Sequence, residues 1–256
     1  MKKFLIALLF APVMAFASTG GAPIDKWPGS VSDQAALQNG AKLFVNYCLN
    51  CHGASYMRYQ NLVALGLSEQ QVKDNLMFTS YKIGELMRIA ARADEQKQWF
   101  GATPPDLTII TRARGEAGNA GAGADWVYTY LRSFYRDENR PTGWNNTVFE
   151  NVGMRHVLYG LPGQQVLNHD THKLEVAVPG QMAPAEFDKA VSDLVGFMVW
   201  MGEPQQEFRR KLGFFVLAFL GLLFVGIFSD GRYGFAWNLT TAELSLIHIS
   251  EPTRPY

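Results

Sequence analysis

Two uninterrupted apolar runs stand near opposite ends of the chain, and the hydrophobic positions between them recur mostly at helical spacing. In residues 33–45, Ala36, Leu37, Ala41, Leu43, Phe44 and Val45 predict a helix that leads directly into Cys48. Ser68 followed three residues later by Gln71 is a capping-box pattern and predicts a second helix. Residues 82–98, with Ile83, Leu86, Met87, Ile89 and Ala90 near one face, read as a further helical stretch. A loop around Pro104-Pro105 follows, then a short helix within 108–114. Residues 115–124 are rich in Gly and Ala and read as a turn or surface insertion. Asp125 is expected to cap a helix that runs through Phe134, and residues 137–146 are polar and loop-like. Residues 148–179 are irregular apart from Leu174, Val176 and Val178, which alternate as in a short strand. Residues 183–200 form the clearest late helix, ending near Gly202 and Pro204. No internal repeat is present. The expected architecture is mainly α with long loops, and such loops in a compact domain require something to wrap around.

The terminal runs set the topology. Lys2 and Lys3 precede an apolar run over residues 4–16, and Ala15-Phe16-Ala17 offers the small residues read by a signal peptidase. Residues 1–17 are therefore expected to be a secretory signal peptide, with an exported domain at 18–207. The second run, residues 212–228, has no charged residue and would span about 25 Å as a helix, near the lower bound for crossing a bilayer. Arg209, Arg210 and Lys211 flank one side; Asp230, Arg232, Tyr233 and Trp237 flank the other. A single transmembrane helix is expected over 208–229. The basic cluster taken alone would put its N-terminal side in the cytoplasm. A long exported domain translocates largely regardless of such charge, so the domain is expected in the periplasm and residues 230–256 in the cytoplasm. Residues 244–256 read as translated DNA-library adapter, so no function is assigned to His248.

Composition narrows the partners. The 23 basic and 23 acidic side chains balance, which gives no basic field for nucleic acid. Loss of Lys2 and Lys3 would leave the exported chain slightly acidic, suited to a basic protein partner. The only two cysteines stand in Cys48-Leu49-Asn50-Cys51-His52. C-x-x-C-H is a c-type haem attachment pattern: in a helical turn both thiols share a face, each can add to one haem vinyl group, and His52 can ligate the iron. A zinc site would need more ligands than the sequence groups here, and a redox-active C-x-x-C would need a βαβ context. His156, His169 and His172 are expected in exposed loops. For the sixth iron ligand a Met suits electron transfer. Met57 is too close to the motif, and Met87, Met198 and Met201 sit where core packing explains them. Met154, in Asn151-Val152-Gly153-Met154, and Met182, in Gly180-Gln181-Met182-Ala183-Pro184, remain open alternatives.

An ordered set of motifs over about residues 27–237 resembles the cytochrome c1 family in its bacterial form. It comprises Tyr47-Cys48 to His52 with Tyr56-Met57-Arg58-Tyr59 after it, Pro104-Pro105-Asp106-Leu107 before Arg112-Ala113-Arg114, Asp125-Trp126-Val127, Pro141-Thr142-Gly143, and Phe197 to Pro204 before Arg209-Arg210-Lys211 and the late span. The resemblance implies a class I cytochrome c-like haem domain with long loop insertions, one covalent haem c, and an inner-membrane anchor. It implies that Met154 is the axial sulfur, with Met182 as the alternative, although Arg155 stands where bacterial members often have Pro. It implies that Arg114 binds a haem propionate and that Pro105 packs at the haem edge. The role implied is electron relay in ubiquinol–cytochrome c reductase, from a Rieske iron–sulfur protein to a cytochrome c beside a cytochrome b subunit. That role asks for no catalytic acid or base on this chain.

Overall fold

The computed structural model describes residues 23–115 and 122–229, so the expected signal peptide, residues 116–121 and the tail beyond Ser229 lie outside the described residues. The chain divides into two compact units, residues 1–203 and 204–256. The described part of the first is helix-rich, with three small two-stranded antiparallel sheets rather than one continuous sheet.

Helix α1 (Gln34–Leu43) starts where Asp33 accepts a hydrogen bond from the Ala36 N–H at 3.1 Å. It buries Leu37, Gly40, Ala41 and Leu43 and passes without a break into a π-helical turn, Phe44–Cys48. Strand β1 (Ala54–Arg58) and a 3-10 helix (Tyr59–Leu65) follow. Helix α2 (Glu69–Asn75) has the expected reciprocal cap between Ser68 and Gln71. The stretch expected as one helix over 82–98 is instead strand β2 (Leu86–Met87) and helix α3 (Ala93–Phe100). The apolar spacing there served long-range pairing: β2 pairs with β1, and Ile83 and Glu85 accept backbone hydrogen bonds from Gln60 and Tyr59.

Helix α4 (Ile110–Ala113) fits the short helix expected near it. Helix α5 (Ala122–Arg132) begins three residues before Asp125, which is therefore no cap; its carboxylate instead accepts from the Trp27 N–H at 2.8 Å. Residues 134 and 144–146, expected as helix end and loop, form strands β3 (Phe134–Arg136) and β4 (Trp144–Asn146), joined through Gly143 at φ +72°. Strand β5 (Gly163–Asn168) pairs with β6 (Lys173–Pro179), which contains the alternating Leu174, Val176 and Val178, although both valines are half exposed.

Helix α6 (Pro184–Gly202) opens with Pro at its first position and with Glu186 accepting from the Ala183 N–H. It crosses α1 to make the main core. Phe44 and Phe197 meet with ring centroids 5.4 Å apart, and Asn39 donates to the buried Asp193, which Lys189 also reaches. The crossing is tight at Gly40, where a Cβ would stand 2.1 Å from the Asp193 carbonyl oxygen. In the second unit, α7 (Gln206–Ser229) contains the stretch Gln206–Ile227, long and apolar enough to cross a membrane, with none of it buried inside the protein. It starts two residues before the expected span and ends with it.

Candidate functional site

The motif sits where α1 gives way to the π-turn. The Leu49 N–H reaches back five residues to the Phe44 carbonyl, and the Cys51 and His52 N–H groups both donate to the Cys48 carbonyl. Phe44, Val45 and Leu49 face the core and fix this turn in place. A wide turn of this kind inside a helix frequently marks a functional site. Both cysteines are free thiols, Cys48 buried and Cys51 half-buried. Burial, reinforced by the neighbouring Cys51, pushes the Cys48 thiol up to about 12. Such a thiol is no ready thiolate, which argues against an exchange-active dithiol.

His52 Nδ1 lies 2.7 Å from the Pro105 carbonyl oxygen. A carbonyl only accepts, so Nδ1 carries the proton and the Nε2 lone pair is free for a metal. Burial holds the ring below its usual range, with the Pro105 contact and the Asp106 charge opposing, so the lone pair stays unprotonated near neutrality. The Pro105 loop is laced to the motif. Leu107 N–H donates to Gly53, Ser55 N–H to Asp106 Oδ2 at 2.7 Å, and Thr108 N–H and Oγ1–H to Asp106 Oδ1 at 2.9 and 2.6 Å. Gln96, buried on α3, donates to the Cys51 carbonyl at 2.8 Å. Nothing in the local sequence around Gln96 or Asp106 signals these supporting roles.

The expected axial candidates separate in space. Met154 packs against a small cluster of Phe134, Trp144 and Val152, apart from the main core. Its sulfur accepts a hydrogen bond from the Tyr130 hydroxyl at 3.4 Å. The loop before it is pinned: Asn151, at φ +60°, takes hydrogen bonds from both Arg140 Nη atoms, and its N–H donates to Asn145 Oδ1. Met182 packs against the main core instead, with its N–H on the Leu161 carbonyl.

A row of rings runs past Met154. Trp126, Tyr130 and Phe134 follow at steps of four along and just beyond α5. Trp126 stacks on Tyr130 at 4.9 Å, Tyr130 meets Phe134 edge-on at 5.1 Å, and Phe134 stacks on His156 at 4.9 Å. Burial holds the Tyr130 hydroxyl well above the usual phenol range, with Arg114 opposing, so it remains a donor. Arg114 lies over Trp126 at 4.5 Å and has no ion pair among the described residues, which leaves its donors available for an anion. Contrary to the expectation of an exposed loop histidine, His156 is 2% exposed, because Phe134 stacks on its ring and Trp144 meets it edge-on. Neither of its ring nitrogens has a partner among the described residues, and burial pushes it down to about 4. His169 and His172 are exposed as expected.

Two free thiols, an imidazole with its Nε2 free and a half-buried thioether form a donor set that fits a covalently attached haem. Among the described residues no three His, Cys, Asp or Glu side chains gather as a separate metal site. A sequence model of the Cytochrome C1 family matches residues 26–237. The chain is 42% identical to the cytochrome c1 of Allochromatium vinosum over 238 residues, covering 88% of this chain and 94% of that protein. It is 46% identical to a protein named ammonia monooxygenase gamma subunit in Nitrosomonas europaea, covering 86% and 91% respectively. It is 29% identical to the cytochrome b/c1 of Bradyrhizobium diazoefficiens, covering 80% of this chain and 34% of that longer protein. The chain belongs to the cytochrome c1 family, membrane-anchored electron-transfer proteins that carry one covalently attached c-type haem.

Proposed function

We propose that this chain is the haem subunit of a bacterial ubiquinol–cytochrome c reductase. It takes single electrons from a Rieske iron–sulfur protein and passes them to a cytochrome c, while a cytochrome b partner oxidises quinol. Cys48 and Cys51 form the two thioether bonds, His52 and Met154 are the axial ligands, Arg114 pairs with a propionate, and Pro105 packs at the haem edge. The bound haem supplies a one-electron couple; the chain's own residues hold it. Residues 1–17 direct export, residues 18–207 lie in the periplasm with a class I cytochrome c-like fold, and α7 anchors them to the inner membrane.

The observation that carries this reading is the His52–Pro105 contact beside two free thiols. It fixes ring orientation and tautomer before any metal arrives, as ligating histidines require. The α1/α6 crossing at Gly40 supports the class I assignment, because it holds the motif helix against the last helix of the domain. Met154 is favoured over Met182 because its sulfur is held by a directed donor while Met182 is core packing.

Optical and magnetic spectra of the wild type and of Met154→Leu test the ligand set. The expected result is loss of the low-spin, sulfur-ligated signature, new carbon monoxide binding and a lower potential in the variant. A variant spectrum identical to the wild type would show Met154 is not the ligand, and Met182→Leu would be the next test. The relative named as an ammonia monooxygenase subunit motivates a second reading, membership of a monooxygenase. Gentle purification separates the two: recovery with a cytochrome b and a Rieske protein supports the reductase, and recovery with an ammonia-oxidising complex supports the alternative.

A further inference from the structure

The Tyr130 hydroxyl is the one directed polar contact to Met154 in the described structure, and everything around that ring holds it still. Trp126 stacks on one face with the ring planes 11° apart, and Phe134 closes the side at 69°. Arg114 lies over the Trp126 ring at 4.5 Å. Asn146, on β4, donates to the Tyr130 carbonyl at 2.8 Å, which ties this turn of α5 to the hairpin. The step of four along α5 places Trp126 and Tyr130 on one helix face, and Phe134, the first residue of β3, extends the row beyond the helix end. A phenol so confined can point its O–H only where the packing lets it, and here it points at sulfur.

We infer that Tyr130 is a positioning residue that tunes the axial bond, by donating a hydrogen bond to the Met154 sulfur while that sulfur ligates the iron. This inference rests on the proposal that Met154 is the axial ligand. A thioether sulfur has two lone pairs. One can go to the metal, and the other still accepts a weak hydrogen bond. That bond withdraws density from sulfur and weakens donation to the electron-poor ferric ion more than to the ferrous ion. The ferrous state is favoured and the potential rises.

The test uses the full-length haem-loaded protein. Tyr130→Phe keeps the ring stack and removes only the donor. The expected result is an unchanged low-spin haem, a shifted sulfur-to-ferric charge-transfer band, and an electron-transfer equilibrium moved about threefold toward oxidation. That is a fall of about 28 mV at 59 mV per decade for one electron. Site-specific 3-fluorotyrosine at position 130, a stronger donor of the same shape, should move both readouts the opposite way. A merely structural role would move neither. An unchanged band and potential in both variants, while Met154→Leu loses the band, would overturn the inference and leave the ligand assignment standing. An unchanged Met154→Leu spectrum would overturn both.

Discussion

Asp106 is the residue that holds the loop that holds His52. Its two carboxylate oxygens divide the work: Oδ2 accepts from the Ser55 N–H, Oδ1 from the Thr108 N–H and hydroxyl. Burial pushes the carboxyl up, but the hydrogen bonds from Thr108 and Ser55 outweigh it and hold it below the usual carboxylate range. A depressed carboxylate contributes stability that is present above its unfolded value, about 3.9, and is lost as pH falls through the folded value. Asp106→Asn turns one acceptor into an amide N–H that faces another donor. It is expected to cost about 1–3 kcal/mol at pH 7 and to flatten the loss of stability in acid. Urea unfolding followed at the haem band, at pH 7 and near pH 4, measures both. Equal stability of variant and wild type at pH 7 would count against this account. Residues of this kind were not legible in the sequence. Cys48, Cys51 and His52 declare themselves by spacing, because covalent attachment demands that spacing. Asp106 and Tyr130 act on partners 51 and 24 positions away, and no local pattern encodes such a pairing. The burial of His156 is hidden in the sequence for the same reason: it comes from Phe134 and Trp144, neither adjacent in sequence.

At the scale of elements, helices whose ends are set by their own side chains were legible. α1 with Asp33, α2 with Ser68 and Gln71, and α6 with Pro184 all begin where local capping chemistry puts them. Residues 82–98 were not, because Met87 satisfies a strand bridge to Ala54 as well as it would a helix face. The same holds for β3 and β4, whose polar residues pair only across the Gly143 turn. The element contact on which most depends is the crossing of α1 and α6. Gly40→Ala should gain roughly 1 kcal/mol of helix propensity. The new Cβ would meet the Asp193 carbonyl oxygen at 2.1 Å and the Phe197 Cβ at 2.8 Å, and backbone on both helices would have to part. Overpacking of this kind costs typically about 1–3 kcal/mol, so a net loss is expected. Thermal unfolding should report a lower Tm for Gly40→Ala, and a higher Tm would show that the crossing has slack.

For the whole molecule, the two units differ in what they need from their surroundings. The first buries its apolar residues within itself, from Leu37 to Met201. The second exposes Phe208, Leu212, Phe214, Phe215, Val216 and Leu217 among others on α7, which no soluble chain leaves to water without consequence. Every residue proposed to hold the haem lies between Cys48 and Met154, inside the first unit. The ion pair of Arg112 with Glu203 at 3.4 Å falls within that unit as well. A chain ended after Glu203 should therefore keep its haem and its potential while losing its membrane. The expected result is a coloured protein in the periplasmic fraction, with the same reduced spectrum as the full-length chain. Electron transfer to it from a quinol-reduced membrane should fall steeply, because the anchor raises the local concentration of donor and acceptor rather than altering either. Retention of the truncated chain in the membrane pellet would mean that the first unit itself binds lipid or partner tightly. Loss of haem on truncation would mean that the anchor helps build the site.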